Sequence, residues 1–138
     1  MRRVVVGVVV LLLALVGCSQ VLGTADWDRI EVAYTAAEDP GQVLSDYTLL
    51  VTPAEVTYTL NGDAKTEKLP DGAWSALSTG VRAFGDRKGV ECAGKGSITI
   101  KASAAGAVKQ NFEANGCDAG DAFDQATALV AQVIAQIK

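Results

Sequence analysis

From residue 29 onward the sequence predicts an α+β fold: an antiparallel sheet of about six strands with two helices packed on one face. Two observations predict this fold class. Apolar and polar residues alternate over five short segments, a sixth is the return strand of an Asn-Gly hairpin, and two longer segments repeat apolar residues at helical spacing. The resulting order is β-β-β-β-α-β-β-α, in which most strand connections have the form of hairpins. Hairpins favour an antiparallel sheet, and few crossovers leave both helices on the same side.

Four strands come first. Residues 29–35 and 47–52 each place apolar side chains at every second position, which is typical of half-buried strands. A third strand over residues 56–60 leads into Asn-Gly at 61–62, the strongest short signal for a type I′ hairpin, because both central residues of that turn need positive φ. The return strand, residues 63–69, carries several charges, and such charge is typical of an exposed sheet edge.

A helix, a hairpin and a second helix complete the predicted fold. The first helix is expected to end at Gly85, and Gly80 is expected to weaken it because glycine is a poor helix former. Its apolar stripe consists of Trp74, Leu77, Val81 and Phe84. Two strands then flank a turn at residues 104–106. The last helix follows, with Asp118 or Asp121 as its expected cap.

The start of the chain has the form of a secretory signal peptide, with a cationic head and an apolar run. Arg2 and Arg3 precede residues 4–16, a run that only Gly7 interrupts. This run is shorter than the roughly 20 apolar residues that cross a bilayer, so an uncleaved membrane span is the less favoured interpretation. The run ends in Leu15, Val16 and Gly17, followed by Cys18.

This tetrapeptide behind a signal peptide resembles the bacterial lipobox. The resemblance implies that Cys18 receives a diacylglyceryl thioether and that the chain is cut just before it. Two or three acyl chains would hold the protein on the outer face of a bacterial membrane, since each buried methylene contributes about 0.8 kcal/mol. We therefore expect residues 1–17 to be a signal peptide, 18–28 a lipidated tether and 29–138 a single domain in the cell envelope. Trp27 is expected to dock on that domain.

The remaining cysteines are expected to form a disulfide. Three cysteines are present, and assigning Cys18 to lipid leaves Cys92 and Cys117 as a pair in an oxidising compartment. The residue numbers of paired positions in an antiparallel hairpin have a constant sum. A turn at 104–106 therefore places these two cysteines nearly opposite each other at the open end of the last hairpin.

The charge of the chain limits its partners. The formal net charge is −4, and it becomes more negative when Arg2 and Arg3 leave with the signal peptide. Nucleic acids and anionic lipids reward clusters of lysine and arginine. We therefore expect no nucleic-acid partner, and the membrane is expected as a partner through the lipid on Cys18 rather than through anionic headgroups.

The sequence contains no histidine, and this excludes several kinds of catalytic site. Ser–His–Asp and Cys–His nucleophiles and histidine-ligated metals all need that residue. Asp118, Asp121 and Asp124 suit either a hard-cation site or the N-terminus of a helix, which favours negative charge. We favour the helix because no loop offers the further oxygen ligands that calcium needs. No catalytic residue, metal or cofactor is predicted, and the protein is not expected to be an enzyme.

Three functional hypotheses follow from this sequence. The first is a non-catalytic envelope lipoprotein that binds another envelope protein. The second is a carrier of lipid or another small apolar ligand, with a pocket between sheet and helices. The candidate lining of that pocket is Trp74, Leu77, Val81 and Phe84. The third rests on a resemblance of architecture to small secreted hairpin–helix–hairpin–helix domains, which include some protease inhibitors.

Overall fold

A computed structural model describes residues 27–38, 45–60 and 62–137. The signal peptide and lipobox, Cys18 included, lie outside these described residues. The strands are β1 (Arg29–Thr35), β2 (Tyr47–Val51), β3 (Glu55–Leu60), β4 (Asp63–Lys68), β5 (Ser97–Ala104) and β6 (Ala107–Asn115), and the helices are α1 (Ala73–Phe84) and α2 (Ala122–Gln136). The predicted α+β class and the predicted order of elements are confirmed.

The six strands form one sheet in the order β4-β3-β2-β1-β5-β6, and neighbouring strands run antiparallel. β1 lies inside the sheet because β2 pairs with one of its edges, and β5, which follows α1, pairs with the other. Ile30 stands opposite Val51 on β2 and Ala102 on β5. This register places the alternate apolar residues of neighbouring strands on the same face, as period-two alternation requires.

Both helices cover that apolar face and close one core. The buried residues include Ile30, Val32, Leu49, Val51, Val56, Ile98, Ile100 and Phe112 from the sheet and Leu77, Val81, Ala126, Val130 and Val133 from the helices. α1 continues through Gly80, which has a packing role. A Cβ added at Gly80 would lie 2.7 Å from Cδ2 of Leu129, so the missing side chain lets α2 approach α1 closely.

The two ends of the sheet differ, and we name them by what they carry. The tether end is the end at which β1 begins. There the Asp28 N–H donates to the Ser103 carbonyl at 3.0 Å, and the Asp28 carboxylate accepts the Ala105 N–H at 2.9 Å. The Trp27 ring lies 4.9 Å from the guanidinium carbon of Arg82, so the prediction that Trp27 docks on the domain is confirmed. Trp27 and Asp28, which precede residue 29, thus belong to the folded domain.

The opposite end, the disulfide end, carries the bond between Cys92 and Cys117, whose Cα atoms are 6.6 Å apart. The predicted pairing is confirmed. The strand ladder continues past β5 and β6 through a hydrogen bond from the Gly116 N–H to the Gly96 carbonyl. Cys92 lies outside that ladder, and the chain reaches it through Gly94 and Gly96, whose φ angles of 79° and 36° favour glycine.

No helix in the described part of the chain is long and apolar enough to cross a bilayer.

Candidate functional site

The second face of the sheet, which we call the outer face, is covered by neither helix. The register places six strand positions on it in each of two rows. One row is Thr66, Thr57, Leu50, Glu31, Lys101 and Asn111, and the next is Ala64, Thr59, Thr48, Ala33, Thr99 and Glu113. The strand residues that alternate with the buried ones therefore form a continuous, uncovered surface.

The outer face divides into an uncharged half and a charged half. On β2, β3 and β4 these two rows contain threonine, alanine and one leucine, and the hydroxyls of Thr57 and Thr66 are 2.8 Å apart. Glu31, Lys101 and Glu113 supply the charges on the other strands. A shallow depression of about 540 Å³ lies over the boundary between the halves, with Leu50 on its floor. These two rows of the uncharged half can be covered without burying a charge, and the next row on β3 and β4 is the charged pair of Glu55 and Lys68.

The segment that follows α1 borders the charged half and is held there by hydrogen bonds. After α1 the chain runs along β6, where the Arg87 N–H donates to the Asn111 carbonyl at 3.0 Å and the Glu113 N–H donates to the Arg87 carbonyl at 2.8 Å. These bonds pair backbone N–H and C=O groups of β6, which would otherwise be exposed at the free edge of the sheet. Beyond Arg87 the segment leads to Cys92, which helps to line a second depression of about 400 Å³.

The carboxylate of Asp118 holds this segment in place. It accepts hydrogen bonds from the Arg87 guanidinium at 2.7 Å, the Asn115 N–H at 2.8 Å and the Val90 N–H at 3.0 Å. The side chain is only 2% exposed. These donors, the Arg87 side chain first, lower the pKa of Asp118 to about 2, because they favour the ionised form.

Of the two aspartates expected to cap the last helix, Asp121 takes the N-cap position and Asp118 does not. α2 begins at Ala122 with Asp121 as its N-cap, and neither a side-chain cap bond from Asp121 nor any role for Asp118 in the helix is present. Asp118 is engaged instead with a residue 31 positions away in sequence. Sequence reasoning missed this contact, because nothing in the local pattern pairs Arg87 with that aspartate.

Replacing Asp118 with asparagine is expected to destabilise the domain in a pH-dependent way. The folded pKa lies below the ordinary value of 3.8, so the ionised carboxylate stabilises the fold above that value, and this contribution is lost as the pH falls towards 2. The difference in Tm between wild type and Asp118→Asn should therefore be large at about pH 6 and narrow towards about pH 2. Asp121→Asn is the matched control, and an unchanged gap across this range would contradict the assignment.

A cluster of aromatic side chains lies on the helix side, near the disulfide end. The rings of Tyr34 and Tyr47 stack with centroids 4.8 Å apart, and Phe123 of α2 lies 6.4 Å from Tyr34. Burial, and then the neighbouring Tyr34, raise the pKa of Tyr47 to about 12. Its phenol therefore stays protonated near neutral pH, and the three rings act as packing between sheet and helix.

The four candidate pocket residues are placed together, as their helical spacing predicts. Leu77 and Val81 are buried in the core, and Trp74 and Phe84 are partly buried against it. The Phe84 ring lies 5.0 Å from that of Phe112 on β6. They pack against the sheet, and their use as the lining of a ligand pocket stays a prediction. Within residues 27–38, 45–60 and 62–137, no group of three or more acidic or cysteine side chains is placed to hold a metal.

Comparison with models of protein families, with curated proteins and with solved structures finds no match to this chain.

Proposed function

We propose that this protein is a membrane-anchored, non-catalytic module of the bacterial envelope that binds a partner protein through the outer face of its sheet. One observation carries the proposal. The helices cover only one face of the sheet, and the other face has an uncharged half that a partner can cover. Anchoring through Cys18 stays a prediction from the lipobox resemblance.

The chemistry of the outer face suits a protein partner. Interface cores are depleted of charged residues, because a buried charge loses its hydration. On the β2 and β3 side Leu50 meets that condition, since Thr48, Thr57 and Thr59 flank it with methyl and hydroxyl groups, while Glu31 of β1 stands on its other side. Six strands spaced about 4.8 Å apart make a surface roughly 25 Å wide. The charges of Glu31 and Lys101 lie at its side, where they can select a complementary partner.

Because the module is anchored to the membrane, an interface of low intrinsic affinity is sufficient for binding a partner in the same membrane. A partner confined to the same membrane meets the module at a raised effective concentration, so apparent binding exceeds the intrinsic affinity of the two surfaces. The border of the outer face is also held in shape by the Asp118 hydrogen bonds and by the disulfide. A surface that is ordered before binding loses less conformational entropy when it binds.

The substitution Leu50→Arg should weaken partner binding at least about tenfold, which corresponds to about 1.4 kcal/mol. The reason is that it inserts a charge into the uncharged half of the outer face. The measurement is photo-crosslinking in intact cells of the native source, with a photoreactive amino acid in place of the exposed Thr48. We expect cross-linked species of defined mass that disappear when Leu50→Arg is added.

Val90→Arg is the matched control, since Val90 is 61% exposed and lies outside the outer face. It should leave the cross-linked species unchanged, and equal thermal melting of both variants would show that the fold is intact. Cross-linking that survives Leu50→Arg would overturn the assignment of the outer face. An apolar small molecule that co-purifies with the protein and is lost on enlarging a core side chain such as Val81 would favour the carrier instead.

A further inference from the structure

We propose that the tether end of the domain docks on the anionic surface of the membrane that holds the lipid anchor. This inference rests on the proposed anchoring through Cys18 and adds a second contact, made by the folded domain itself. The contact consists of an exposed apolar side chain, Val108, with its neighbour Lys109, and of the cationic side chains of Arg29 and Arg82 at the same end of the domain.

The register of the sheet brings these groups to one end. Arg29 pairs with Ser103 on β5, and Ser103 pairs with Val108 on β6, so the three lie in one row across neighbouring strands. Val108 is 54% exposed, and Lys109 follows it at an exposed position. Exposed apolar residues beside lysine and arginine are typical of surfaces that lie in the headgroup region of a bilayer.

The path of the chain brings this end towards the membrane. Trp27 is the first residue that the structure describes, and its ring meets the Arg82 guanidinium. From Cys18 to Trp27 is a stretch of nine residues, which spans at most about 30 Å when fully extended. The part of the domain nearest to the lipid is therefore the end that carries Arg82, Arg29 and Val108.

The charges of the two ends favour one orientation. At the tether end the cations Arg29, Lys68, Arg82 and Lys109 are matched in number by the carboxylates of Asp28, Glu31, Glu55 and Asp71, and Arg29 pairs with Glu31 at 3.5 Å. Of these, Asp28 already accepts the Ala105 N–H. At the disulfide end carboxylates predominate over the cation of Lys95: Glu38, Asp46, Asp63, Glu91 and Asp121, with Asp118 paired to Arg87.

An anionic bilayer repels the acidic disulfide end, so the tether end, whose charges balance and where Lys109 is exposed beside Val108, is the end that it favours. With the tether end on the membrane, the strands point away from it. The outer face then stands upright and the disulfide end lies farthest from the lipid, which leaves both depressions open to a partner.

The test uses the full-length lipidated protein in vesicles of phosphatidylglycerol and phosphatidylcholine. A nitroxide amino acid replaces either Val108 or Val90, the exposed valine at the other end, so that the native cysteines stay unchanged. We expect collisions with a lipid-soluble relaxation agent to be at least threefold more frequent for the probe at 108 than at 90. Equal, water-like signals from both probes would overturn the docking.

Charge variants complete the test. Lys109→Glu should remove at least half of the lipid contact of the probe at 108, and Lys95→Glu, at the disulfide end, should leave it unchanged. The same protein in pure phosphatidylcholine should show the weaker contact. If wild type stays on the vesicles while the probe at 108 reports water, the docking alone is wrong. If wild type does not stay on the vesicles, the anchoring and the docking both fail.

Discussion

Replacing Cys18 with alanine is expected to release the protein completely from membranes. The thioether on this residue is the proposed attachment point, and two or more acyl chains hold a protein far more firmly than one. The core that holds the domain together lies within the described residues from Trp27 onward, so the substitution should leave the melting temperature unchanged. The measurement is metabolic labelling with palmitate, together with fractionation of cells into membrane and soluble parts.

Ser19→Ala is the matched control for the Cys18 substitution, because it changes the neighbouring residue and keeps the cysteine. It should remain labelled and sediment with membranes. Continued palmitate labelling of Cys18→Ala would contradict the lipobox assignment. A variant that is unlabelled and yet stays in the membrane would indicate that the apolar run at 4–16 is retained as an anchor, the less favoured interpretation of the sequence.

The strands and helices could be predicted because their signals are local. Alternation in residues such as Ile30, Val32 and Tyr34 follows from the geometry of one strand on a half-buried sheet. The position of β5 beside β1 could not be predicted in the same way, because it depends on pairing between segments far apart in sequence. Gly80 shows the same limit of sequence-based prediction. Its low helix propensity could be read from the local sequence, whereas the close approach of Leu129, far along the chain, could not.

The candidate site was only partly visible in the sequence. Alternation assigns residues such as Thr57 and Thr59 to the polar face of a strand, and the register then arranges them with Leu50 into a continuous surface. Alternation alone does not show whether a helix covers that face. The anchoring of the border by Asp118 and Arg87 was invisible, since acidic residues before a helix are ordinarily explained by the helix dipole.

Removing the disulfide is expected to cost about 3 to 4 kcal/mol of the free energy of unfolding, from the chain-entropy effect of closing a loop of this length. Cys92 and Cys117 are separated by 25 positions. For a domain of this size that loss lowers Tm by roughly 10 to 15 °C. The measurement is urea and thermal unfolding of the double variant Cys92→Ser/Cys117→Ser against wild type.

The structural change in the double variant should be confined to the disulfide end, because other bonds hold the neighbouring residues. Arg87 stays paired with β6 and with Asp118 through hydrogen bonds that do not involve sulfur. Amide hydrogen exchange should therefore accelerate most around residues 91–96 and least around Arg87. Both cysteines are exposed, so a reducing agent acting on wild type should reproduce the loss of stability. Two free thiols in the wild-type protein would mean that the native chain lacks this disulfide. A melting temperature that does not change on reduction would mean the same.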